Sequence, residues 1–223
     1  MDVIASILAS FMALWEPSFH EVPPTPVMVE KPVMEKPVMV KPVMVKPVME
    51  KPSMETYSLA IEGLPPRCDQ YDPLFWKAAN KHAPYGHELY FALLLNSMAF
   101  VESSCNPNAY NESSKAAGLM QFIPSTAAHF GIDPYDPEQA IDAAARYLAW
   151  LYGQWRAHDR LFLERIMLAL PSYNWGLGNL LDLQKEFGCV FWDCFAPIIL
   201  DIPNEETYNY GPKINDLAES GIE

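Results

Sequence analysis

From Lys31 to Glu55 the chain reads Lys-Pro-Val-Met-Glu, then Lys-Pro-Val-Met-Val twice, then Lys-Pro-Val-Met-Glu and Lys-Pro-Ser-Met-Glu. A proline at every fifth position removes a backbone donor each time and biases the preceding lysine away from helix. Regular helix is excluded there. The pattern favours a polyproline-like spacer rising about 3.1 Å per residue. Its Val and Met side chains could bind a groove or stack in an assembly, but a linker without a specific partner is the plainer expectation. The repeat divides the chain into a short apolar segment (1–20), a Pro-rich linker (21–55) and a domain (56–223) that must hold the core and any chemistry.

The run Val3 to Trp15 is apolar but short of the roughly 20 residues of a bilayer-spanning helix. It lacks the basic start of a secretory signal, since the only early charge is Asp2. An interfacial anchor, a docking peptide and an atypical signal all stay open for residues 1–20. The formal net charge of -13 argues against a nucleic-acid partner, whose binding rests on basic surface. It also removes long-range steering toward an acidic polymer. His20, His82, His87, His129 and His158 show no metal spacing, and the four cysteines no zinc spacing. No cofactor is implied. Cys189 and Cys194 could close a small loop in an oxidising compartment. For all four cysteines, Cys68, Cys105, Cys189 and Cys194, buried free thiols are an equal expectation to any disulfide.

The domain reads as all-α. Asp72-Pro73 suggests a cap and a first-turn proline opening a helix to His82. Glu88 to Ser104 is apolar enough to be buried on most sides. Pro124 opens a short helix stopped by Gly131. Asp136-Pro137 repeats the cap before a helix to about Trp155, and further helices are expected over 160–170 and 177–187. No segment reads as a convincing strand.

Glu102 closes the apolar run Phe91–Val101 in the stretch Glu102-Ser103-Ser104-Cys105-Asn106-Pro107. Apolar surroundings and a helix C-terminus both disfavour the charged carboxylate. A proton held near neutral pH is what a general acid for glycosidic cleavage needs. By itself, a glutamate at a helix end is as readily an exposed side chain with no role. Downstream, Gly118-Leu119-Met120-Gln121 reads as a tight turn able to bring polar groups beside it. No second acid has a telling spacing; Glu112, Asp133 and Glu206 qualify by position only.

Four segments in order carry a family resemblance. They are Glu102-Ser-x-x-Asn-Pro, Gly118-Leu-Met-Gln, Ser172-Tyr-Asn-Trp-Gly and the stretch Pro203 to Tyr210 with its Glu206-Thr-x-x-Tyr. Over about residues 70 to 215 the chain resembles the soluble lytic transglycosylases, which share a lysozyme-like fold. The resemblance implies cleavage of the β-1,4 bond between N-acetylmuramic acid and N-acetylglucosamine in murein, with glycan strands of peptidoglycan as partner. It implies Glu102 as sole acid and base, and a 1,6-anhydro product formed by the sugar's own 6-hydroxyl. It implies support from Ser103, Met120, Gln121, Asn174 and Glu206, and from Tyr173 through a phenol able to hydrogen-bond the carboxylate. Asn111 replaces, or Ser113 supplies, a site serine common in the family. Trp175 stands where alanine is usual, as a sugar-stacking platform or a narrowing of a subsite. A muramidase like the goose-type lysozymes and a non-catalytic murein-binding protein are the rival expectations. The implied place is the cell envelope or periplasm, or a virion, with contact through residues 1–20.

Overall fold

The structure, a computed structural model, describes residues 58–59, 61, 63–201 and 205–222, with the side chains of Glu205 and Glu206 excluded. The expectations for the apolar start and the Pro-rich repeat lie outside the described residues. Among those described the domain is all-α. The helices are α1 (Asp72–His82), α2 (Glu88–Ser103), α3 (Pro124–Phe130), α4 (Pro137–Gln154), α5 (Phe162–Pro171), α6 (Leu177–Phe187), α7 (Trp192–Asp201) and α8 (Glu205–Ser220). A π-helical turn, Ser172–Gly176, joins α5 to α6. The extended pairing consists of isolated bridges between Tyr110 and Ala117 and between Ala117 and Phe122.

Helix α2 is the axis of the core. Every residue from Phe91 to Ala99 is buried, as its unbroken apolar run requires. It packs most extensively against α8 and then α1, while α4 covers α1 and α5 covers α8. The face of α8 that meets the core carries Thr207, Tyr210, Ile214 and Ala218, a helical spacing. Neither α7 nor α8 is among the helices expected from the sequence; each contains a proline, Pro197 and Pro212, where local rules disfavour helix.

Three further expectations are corrected. Asp72 is not a cap: its carboxylate accepts from the Leu59 backbone N–H at 2.8 Å and the Asn96 amide at 3.2 Å. Asp136 does cap α4, accepting from Glu138 and Gln139. Arg160 does not start α5. Its buried guanidinium ties the carbonyls of Trp155, Ala157 and Val190, so the helix begins at Phe162. The cysteines are not free thiols; Cys68 bonds Cys105, and Cys189 bonds Cys194. The first pairing joins the chain just before α1 to the loop that follows Glu102.

Candidate active site

Helix α2 ends at Ser103, and Ser104 takes the left-handed conformation that closes it, its N–H bonding the carbonyls of Ala99 and Phe100. Cys105 is left-handed too, at φ 58°. Two consecutive non-glycine residues in that region are strained, and the surroundings hold them. The disulfide pins Cys105, and the Arg67 guanidinium bonds the Ser104 carbonyl at 2.5 Å. Ser103 turns its hydroxyl away from the opening, its one O–H within reach of the carbonyls of Leu119 at 2.8 Å and Ala99 at 3.0 Å, and accepts from the Asn106 N–H. Glu102 is thereby set, half-buried, on the wall of a groove of about 840 Å³.

The turn facing it depends on Gly118. Its φ is +77°, and a Cβ there would lie 1.6 Å from the Pro134 carbonyl oxygen. Only glycine fits. Gln121, also left-handed at φ 48°, folds its amide back onto the Gly118 carbonyl at 2.9 Å. Asn111 accepts from the N–H groups of Ser113 and Ser114 and so shapes the loop before the turn. Met120 is fully buried and belongs to the core.

The opposite wall is the π-helical turn. Pro171 supplies no N–H, and the buried Ser172 hydroxyl donates to the Leu168 carbonyl while accepting from the Trp155 indole. The widened turn points Tyr173, Asn174 and Trp175 into the groove. Tyr173 does not donate to the carboxylate as expected. Its hydroxyl donates to the Met120 carbonyl at 3.1 Å, joining the π turn to the glycine turn. Burial, then the Glu102 charge and then Tyr147, hold the Tyr173 phenol well above the usual tyrosine range. It therefore stays a neutral donor. The phenol that does bond the acid is Tyr210 on α8, whose hydroxyl donates to Glu102 Oε1 at 2.5 Å. One turn earlier, the buried Thr207 donates to Asn174 Oδ1 at 2.7 Å.

The structure thus gathers Glu102, Asn111, Ser113, Gln121, Tyr173 and Asn174 in one groove. Ser103 and Met120 lie behind it. Glu206 falls in the first turn of α8, and its side chain lies outside the described residues. Glu112 pairs with Lys115, and Asp133 caps its own loop, so neither is a groove acid. Sequence reasoning gave no role to Tyr210, Thr207 or Lys213, which also line the groove. The signal for Tyr210 was present, as the closing tyrosine of the fourth motif.

Compared with known protein families, residues 85–188 match the transglycosylase SLT domain, a span that contains Glu102, the glycine turn and the π turn. Over that span the chain is similar to the soluble lytic transglycosylase family. Among curated proteins, the SLT domain and its flanks are 39% identical over 131 residues to the membrane-bound lytic murein transglycosylase F of Haemophilus influenzae. They are 35% identical over 155 residues to that of Maricaulis maris. These matches cover 58% and 65% of this chain but only 24% and 32% of the relatives. The fold is lysozyme-like. It is similar to the crystal structure of the 70 kDa soluble lytic transglycosylase SLT70 from Escherichia coli, at a TM-score of 0.54 and 23% identity. That match covers 68% of this chain and 24% of the other. Among the described residues no helix is long and apolar enough to cross a membrane.

Proposed function

We propose that the chain is a murein lytic transglycosylase with Glu102 as its single acid and base. The observation that carries the reading is the Glu102 carboxylate, held by Tyr210 in a groove whose other described lining residues include no carboxylate. Glu102 gives its proton to the glycosidic oxygen as the bond from that oxygen to C1 breaks. The sugar's own 6-hydroxyl then attacks C1, and its proton returns to Glu102. A group already on the ring is the nucleophile, so no second carboxylate is needed to activate water. Around the acid, the amides of Asn111, Gln121 and Asn174 and the hydroxyls of Ser113 and Thr207 are of a kind that binds N-acetyl sugars.

Ser103, Met120 and Tyr173 act in this reading as positioning residues, and Glu206 as a support from α8. The catalytic unit is residues 56–223, preceded by the short apolar segment 1–20 and the Pro-rich linker 21–55. The cell envelope is the setting that a murein substrate implies, and residues 1–20 are the contact to a membrane, virion or envelope complex.

Mass analysis of the products from purified murein tests the reaction. Anhydro ends, lighter by one water than hydrolysed ends, are expected; hydrolysed ends would make the chain a muramidase. Glu102→Gln keeps the shape and removes the transferable proton. It is expected to abolish cleavage by several orders of magnitude with the melting temperature held. Appreciable residual turnover would remove Glu102 from the mechanism.

A further inference from the structure

Five aromatic side chains line the groove, and four of them are committed elsewhere. Phe122, Tyr147 and Tyr173 spend their rings on one another: Phe122 lies 6.2 Å from Tyr173, and Tyr173 lies 5.4 Å from Tyr147. Tyr210 is 2% exposed, and its hydroxyl is on Glu102. The fifth is Trp175. It is half-buried, packs against the core on one side and lines the groove on the other. Among the described residues its ring pairs with no other ring and its indole N–H with no acceptor.

The backbone under this ring is set before any ligand arrives. Thr207 on α8 holds the preceding Asn174 at 2.7 Å, the Asn179 amide donates to the Trp175 carbonyl at 2.7 Å, and Gly176 turns the chain at φ +98°. A side chain held in this way loses little freedom on binding. Along α8 the π turn is joined at Thr207 and the acid at Tyr210, one turn apart, so Trp175 stands beside the place where Glu102 acts. The ligand chemistry follows from the two kinds of wall. A β-linked N-acetylhexosamine carries its polar groups around its edge and only C–H bonds on its faces. The amides and hydroxyls of the groove suit the edge, and an open indole suits a face.

We propose that Trp175 is the platform for one face of an N-acetylhexosamine ring, in a subsite next to the bond that Glu102 cleaves, and that it adds an affinity for the bare sugar that alanine at this position cannot supply. This rests on the reading that the groove holds the glycan. The indole is then a specificity determinant and not a plug that narrows the groove.

The test uses the full chain carrying Glu102→Gln, so that nothing is turned over. The probe is an uncharged oligomer of β-1,4-linked N-acetylglucosamine, which has neither lactyl group nor peptide, and binding is read by calorimetry. Trp175→Ala is expected to weaken binding about tenfold. Trp175→Leu should weaken it as much, whereas Trp175→Phe and Trp175→Tyr should keep most of it. The Leu and Phe variants both leave an apolar group on the core, so their contrast reads the aromatic face and not the stability of the fold. Tighter binding by Trp175→Ala would make the indole an obstruction and overturn the proposal. Equal binding by the Leu and Phe variants would reduce it to bulk, with the same result, as would a parent that binds no oligomer. Binding that needs the ring, without any murein cleavage by the unaltered chain, would sink the transglycosylase reading and keep the platform. Anhydro ends from the unaltered chain, with oligomer binding indifferent to Trp175, would do the reverse.

Discussion

Two carboxylates stand at helix ends, and they differ in what they face. Glu102 ends α2, accepts from one phenol and opens onto a groove. Asp72 begins α1, is 5% exposed, and is closed in by the Leu59 N–H and the Asn96 amide. Burial pushes the Asp72 carboxyl up to about 6; the Leu59 bond opposes this and the nearby Asp69 charge adds to it. A perturbed carboxyl is therefore not in itself a mark of chemistry. Asp72 has no space in which a substrate atom could reach it, and its oxygens are spent on the chain. The difference lies in the opening and not in the acidity. One covalent link joins the two regions, since Cys68 lies four residues before Asp72 and Cys105 three after Glu102.

That link gives the largest change short of removing Glu102 itself. Replacing both Cys68 and Cys105 with serine opens a long loop, and chain entropy puts the loss at about 3–4 kcal/mol. A fall in melting temperature of about 8–15 °C is expected by calorimetry. Glycan cleavage should fall too, because the left-handed residues after Glu102 lose their anchor. Replacing Cys189 and Cys194, which are only five apart, should cost less. If the two double variants lose equal stability and activity, the link between the carboxylate regions is incidental.

Next in size is the contrast between two phenols. Tyr210→Phe removes the donor to Glu102, worth about 1–3 kcal/mol, and should lower kcat about tenfold to hundredfold with an altered pH profile and little change in KM. Tyr173→Phe removes a bond to the Met120 carbonyl and should act more on melting temperature than on the pH profile. The reverse ranking would return to Tyr173 the role that its motif suggested.

The smallest effect on cleavage belongs to Asp72. Its folded carboxyl binds a proton more tightly than the unfolded chain does, because about 6 lies above the ordinary aspartate value of 3.8. The stabilisation is present below pH 4 and is lost as pH rises to about 6. Its size is on the order of 3 kcal/mol. In Asp72→Asn this slope should vanish, so the difference between the parent and variant stability curves, read by denaturant unfolding from pH 4 to 7, should carry it. Cleavage by the variant should keep the parent's pH profile. A change in that profile would mean that the two carboxylates are coupled.

Several of these features were readable in the residues. The apolar stretch 91–101 can only be a central helix, and a glutamate ending it is set where core meets surface. Gly118 announces a turn that no other residue could make. The proline in Asp136-Pro137 and the aspartate before it mark a helix start that the structure keeps. Asp72-Pro73 has the same two letters and behaves otherwise, because a buried backbone N–H at Leu59 needed an acceptor and the side chain was nearest. Pro197 and Pro212 hid two helices for a related reason. Local rules penalise proline inside a helix by about 3 kcal/mol, and packing on the core can offset that.

Sequence alone determined the all-α class, the place of Glu102 at the end of the buried helix and the order of the four motifs. These follow from interactions between residues close in the chain, where period, turn chemistry and capping act. Tertiary structure alone decided which tyrosine meets the acid. Tyr173 and Tyr210 both sit in telling motifs, and the direction of each phenol depends on how the π turn and α8 approach α2 from far along the chain. Tertiary structure alone also paired Cys68 with Cys105. Contacts of that kind are fixed by how helices pack, which is a property of the whole core and of no single segment.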